Sequence, residues 1–112
     1  MSLSIVIQYK NPDREVFVRP VSFQSVLVQY WWPLARKLQL EYVSMFETLS
    51  LSEKEHVLQL IDELDILEAH LNKSDKDVPQ NTRDYMLKRI NELKSYLEDA
   101  ISEWEEIEGI GL

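Results

Sequence analysis

From residue 52 to residue 108 apolar side chains recur twice at alternating three- and four-residue steps. The first set is Val57, Leu60, Leu64, Leu67 and Leu71; the second is Met86, Ile90, Leu93, Leu97, Ala100, Trp104 and Ile107. Such spacing lays each set along one face of an α-helix. The stretch between them, Lys73 to Gln80, is polar and ends in Val78-Pro79. Two seams joined by a short polar loop predict an antiparallel αα-hairpin, with helices over 52–72 and 82–108 packed through left-handed crossings. Ser52 with Glu55 reads as a capping box for the first helix, and Asn81 or Thr82 as the cap of the second.

The N-terminal residues follow another period. Leu3 to Lys10 and Glu15 to Arg19 are short β-branched runs flanking Asn11-Pro12-Asp13-Arg14, whose residue types match a type I turn. Setting Asn11 opposite Arg14 pairs Lys10 with Glu15, Tyr9 with Val16, Gln8 with Phe17 and Ile7 with Val18. Opposed residues share a face, so this register gathers Ile5, Ile7, Tyr9, Val16 and Val18 on one apolar face. Gln8, Lys10, Glu15 and Arg19 fall on the other. The expectation is a β-hairpin over 3–19.

Residues 22–49 lie between the two patterns. Phe23, Leu27, Tyr30, Leu34, Leu38, Tyr42, Met45 and Leu49 recur at helical steps, and Ser22 is a suitable N-cap. Pro33 interrupts them, because it lacks an N–H and biases Trp32 away from the α region. A kinked helix follows, or two helices meeting near Trp32. The alternative makes Val26 to Trp32 a third strand, since Val, Tyr and Trp suit one. At 112 residues the chain fits one domain, and the predicted class is α+β and helix-rich.

Composition narrows the chemistry. The absence of cysteine removes disulfides, thiolate catalysis and zinc–thiolate sites, and fits a reducing compartment. No signal-peptide pattern opens the sequence, and no run approaches the ~20 apolar residues that span a bilayer, so a cytoplasmic location is expected. Residues 1–40 carry a surplus of three positive charges, which leaves −11 of the total −8 on residues 41–112. Such a chain is a poor binder of nucleic acid or anionic membrane and suits a basic protein surface better. The two glycines, Gly109 and Gly111, stand in the last four residues, so no phosphate-cradling loop can form. His56 and His70 lie fourteen residues, about 21 Å, apart on one predicted helix and cannot share an ion. Glu53-x-x-His56 lacks the second copy that a carboxylate-bridged metal pair needs. No nucleophile elbow or oriented triad is present. The chain is therefore expected to be non-catalytic and to hold no cofactor or metal.

Three features point to binding. Tyr30, Trp31 and Trp32 fan across about 200° of a helix, too wide an arc for one seam to bury. A two-stranded hairpin leaves both edges open unless Val26 to Trp32, or another chain, pairs with it. The run Glu98 to Glu108, with Glu103, Glu105 and Glu106 at its centre, sets negative charge at a helix C-terminus, where the macrodipole disfavours it. Tyr30, Trp31, Trp32, Glu103, Glu105 and Glu106 are accordingly the expected protein-binding residues. The function that fits is a non-catalytic protein-binding domain, for instance a small acidic inhibitor, immunity protein or antitoxin covering a basic surface. One alternative is a homo-oligomeric structural or adaptor subunit, such as a homodimer. Another is a small enzyme or ligand-binding domain with a cleft beside the aromatics.

Overall fold

A computed structural model describes residues 2–73, Lys76 and 78–112. In chain order it runs β1 (Ser2–Tyr9), β2 (Phe17–Phe23), α1 (Gln24–Val26), a π-helical turn (Leu27–Trp31), α2 (Trp32–Leu38), α3 (Glu41–Ser44) and β3 (Ser50–Leu51). It continues with α4 (Lys54–Asn72), α5 (Gln80–Ser102), a 3-10 turn (Trp104–Glu106) and β4 (Ile107–Gly111). The class is α+β and helix-rich, with an N-terminal strand pair followed by helices. The strands form one antiparallel sheet in the order β2-β1-β4-β3. Of the polar stretch between α4 and α5, Ser74, Asp75 and Asp77 lie outside the described residues.

The two long seams fold as their spacing dictates. Val57, Leu60, Leu64, Leu67 and Leu71 of α4, and Met86, Ile90, Leu93, Leu97 and Ala100 of α5, are all buried. Lys94 of α5 bridges to α4, donating to Asp65 at 2.9 Å and Glu68 at 3.1 Å. The helix starts differ from the expectation. β3 holds the chain extended just before α4, so Glu53 rather than Ser52 is its N-cap, without a side-chain bond. Pro79, with an extended ψ of 147° and no side-chain cap bond, is the N-cap of α5 in place of Asn81 or Thr82.

The second helix does not reach residue 108. It ends at Ser102, and residues 107–111 form β4, a central strand between β1 and β3. Ile107 and Ile110 both face the core although three residues apart, because a bulge opposite Gln8 and Tyr9 leaves Glu108 as the extra residue. That bulge turns a strand's two-residue period into a three-residue step, which continues the helical seam of the sequence. Leu112 is buried too, exchanging backbone bonds with Leu49.

The hairpin forms, but one residue out of the expected register. Ile7 pairs with Phe17, Val6 with Val18 and Ile5 with Arg19. The Asn11 turn closes as read, with the Arg14 N–H donating to the Asn11 carbonyl at 3.1 Å and the Asp13 N–H to Asn11 Oδ1 at 3.0 Å. A type I turn splays strands rather than aligning them, so the β1–β2 ladder does not start from it. The end of β1 pairs with β4 instead, through Gln8, Tyr9 and the Lys10 N–H, which donates to the Glu106 carbonyl at 2.9 Å. The slip exchanges faces. Leu3, Ile5, Ile7 and half-buried Phe17 point into the core, while Val16 and Val18 stand 50% and 48% exposed.

Residues 22–49 break into shorter pieces than the helical face suggested. Ser22 and Phe23 end β2 rather than opening a helix; Phe23 is exposed and stacks on Tyr85 of α5, with ring centroids 5.4 Å apart. Val26 to Trp32 is helical, not a strand. Pro33 would crowd the carbonyl four residues before it, and the π turn widens the helix there. The Trp32 N–H reaches the Leu27 carbonyl, and Trp32 keeps right-handed helical angles. The helix stops at Gln39, which takes a left-handed conformation with φ 58°. No helix among the described residues is long and apolar enough to cross a membrane.

Candidate protein-binding site

The expected binding residues occupy two separate places. At the π turn, Trp31 is completely buried, its ring 5.9 Å from that of Phe46, and Tyr30 and Trp32 are half-buried against the same core. The π turn sets Trp31 at the middle of one buried face with Tyr30 and Trp32 at its margins, while Val28, Gln29 and Pro33 on the opposite side stay exposed. The indole N–H groups of Trp31 and Trp32 are buried and meet no acceptor among the described residues. None of the three residues lines a cavity at the acidic turn.

The second place lies where α5 ends. The Glu103 N–H still donates to the Ala100 carbonyl at 3.2 Å, but Glu103 then leaves helical geometry and the 3-10 turn follows. Because β4 lies beside β1, this turn comes against the loop between β1 and β2. Arg14 of that loop donates through Nη2 to Glu103 Oε1 at 2.9 Å and through Nη1 to Glu106 Oε2 at 3.0 Å. Its guanidinium carbon lies 3.6 Å from the centroid of the Tyr9 ring, a cation–π contact. The hydrogen bond to Glu103, with the charges of Glu103 and Glu106 behind it, holds the Arg14 guanidinium above its ordinary pKa. Two of the three carboxylates thus satisfy one arginine. Glu105 is exposed and makes no ion pair among the described residues.

A cleft of about 680 Å³ opens here, lined by Lys54, Ile101 and Ser102 and by the 103–106 segment. A second hollow of about 440 Å³, lined by Tyr9, Lys10, Asn11, Arg14, Glu105 and Glu106, lies on the other side of the turn. Half-buried Ile101 and Trp104 give the larger cleft apolar wall, and Glu103, Glu105 and Glu106 give it negative charge. The carbonyl end of α5 adds the negative pole of a helix dipole. Trp104 was legible only as a seam residue, and Ile101 was not singled out. Arg14, 89 residues from Glu103, carried no signal of its role.

Among the described residues no cluster of three or more His, Asp or Glu side chains could hold a metal ion. No family model matches the chain, nor does any curated protein or solved structure.

Proposed function

We propose that this protein is a non-catalytic binding domain whose cleft at the end of α5 receives a basic segment of a protein partner. One observation carries the reading: Glu105, which makes no ion pair among the described residues, lines a cleft together with Trp104, the carbonyl end of α5 and a single cation, Lys54. An aromatic wall, an exposed carboxylate and a helix C-terminus favour a cation, against the repulsion of the one lysine in the lining, Lys54. A lysine or arginine side chain suits the cleft, its stem against Ile101 and Trp104 and its charge at Glu105. Arg14 keeps Glu103 and Glu106 in place, so the acidic turn is ordered before the partner arrives. A partner in a reducing, cytoplasmic setting is consistent with a chain that has no cysteine.

The test is titration with a short arginine- and lysine-rich peptide, followed by calorimetry. Glu105→Arg and Trp104→Ala should each weaken binding about tenfold or more, equivalent to ~1.4 kcal/mol, with the helical spectrum unchanged. Asp62→Arg, the same charge reversal on the exposed side of α4, is the control. Equal losses from Glu105→Arg and Asp62→Arg would reduce the interaction to general charge attraction and remove the site.

A further inference from the structure

We infer that the partner's basic segment also carries an acidic residue, received by Lys10 in the second hollow, on the other side of the acidic turn. This inference rests on the reading above and deepens it. The two hollows share Glu105 and Glu106, which wall both. The second is lined by Tyr9, Lys10, Asn11 and Arg14 as well. β1 ends here and the loop to β2 begins. The Lys10 N–H, bonded to the Glu106 carbonyl at 2.9 Å, fixes that loop against the turn.

Two of the four charges in this hollow satisfy each other. Arg14 donates to Glu106, with Glu103 as its second acceptor. Lys10 and Glu105 are the other two. Both are exposed, and neither makes an ion pair among the described residues. Two further donors line the same hollow. Asn11 accepts the Asp13 N–H through its side-chain oxygen, and Tyr9 offers its ring to Arg14. The Asn11 amide nitrogen and the Tyr9 hydroxyl meet no acceptor among the described residues. An ammonium, an amide and a phenol around one hollow form a donor set suited to a carboxylate.

Neither charge suits the turn alone. A cation brought to Glu105 is repelled by Lys54 in the cleft and by Lys10 across the turn. A carboxylate brought to Lys10 is repelled by Glu105 and Glu106. A cation and a carboxylate that arrive on one segment offset both penalties, because each neutralises the residue that opposes the other. The occupant is therefore a segment of mixed charge, with lysine or arginine at Glu105 and aspartate or glutamate at Lys10. A helical turn with its side chains is about 10 Å across, and extended chain advances about 3.3 Å per residue. The acidic residue accordingly stands about three positions from the basic one.

Calorimetry at low salt with a set of matched peptides tests this. The reference peptide carries one arginine with asparagine three residues before it and three residues after it; in the others one asparagine or the other is aspartate. One aspartate peptide should bind wild type about three- to fivefold more tightly than the reference. Lys10→Gln should abolish that gain and Lys10→Glu should reverse it, both with an unchanged circular dichroism spectrum, since Lys10 is exposed and its backbone N–H is kept. If Glu105→Arg weakens binding of the reference peptide but neither aspartate brings a gain, this inference is overturned and the cleft reading stands. A gain that Lys54→Gln removes and Lys10→Gln does not would put the carboxylate in the cleft and overturn it too. Reference binding that Glu105→Arg leaves unchanged removes the cleft reading, and this inference with it.

Discussion

Glu63 Oε1 on α4 accepts the backbone N–H of Val43 in α3 at 3.0 Å, while its second oxygen accepts that of Tyr42 at 3.1 Å. α3 is four residues long, and its N-cap, Leu40, offers no side-chain acceptor. The cap therefore comes from a neighbouring helix, and one carboxylate satisfies two otherwise orphaned donors. Glu63→Ala should cost about 1–2 kcal/mol in urea denaturation, and Glu63→Gln, which keeps an acceptor, less. Equal stability of Glu63→Ala and the wild type would show that α3 needs no cap.

The seam between α4 and α5 is part of the buried core. Leu64 and Leu93 are buried, so Leu64→Ala or Leu93→Ala should each lower stability by about 2–5 kcal/mol. Losses below about 0.5 kcal/mol at both sites would mean that the seams do not pack.

Lys94 ties the same two helices electrostatically. Its hydrogen bond to Asp65, then that to Glu68, raises its pKa above the ordinary 10.5 against the cost of burial. A cation whose pKa is raised by folding stabilises fully below the unfolded value, and loses that contribution as pH climbs through the folded one. Wild type should thus exceed Lys94→Met by about 1 kcal/mol between neutral pH and about pH 10, the gap closing above it. Chemical denaturation of both proteins across that range gives the comparison, and a gap that persists unchanged at the alkaline end would place the effect in packing.

β4 carries its own prediction. Stopping the chain after Glu106 removes Ile107, Ile110 and Leu112 from the core and unpairs one side of β1. Such a chain should lose cooperative thermal unfolding in calorimetry, whereas fraying limited to the last residues would leave the transition intact.

What the sequence revealed followed the range of the interactions involved. The seams of α4 and α5 were legible because each helix is specified by neighbours three and four positions away. Register in the hairpin was not, since β4 captures the end of β1 from the far end of the chain and the turn alone could not show it. The bulge at Glu108 hid β4 by giving Ile107 and Ile110 a helical step. Trp31 was visible as an unusual residue, but the π turn that centres it on the buried face has no sequence signature beyond Pro33. Glu103, Glu105 and Glu106 were legible as an acidic run set against a helix dipole. That Arg14 takes Glu103 and Glu106 but not Glu105 depends on a contact that only the folded sheet creates.

The placement of β4 at the middle of the sheet also bears on the order in which the molecule can be made. Val6 and Gly111 are paired although 105 positions apart, so a ribosome releases β1, β2 and both long helices before the strand that joins β1 to β3 exists. Until then β1 keeps an open edge, and the sheet closes only after the slow search that long-range pairings impose. A nascent chain should therefore hold its helical hairpin early and its sheet last, with β1 exposed to foreign strands for most of its synthesis.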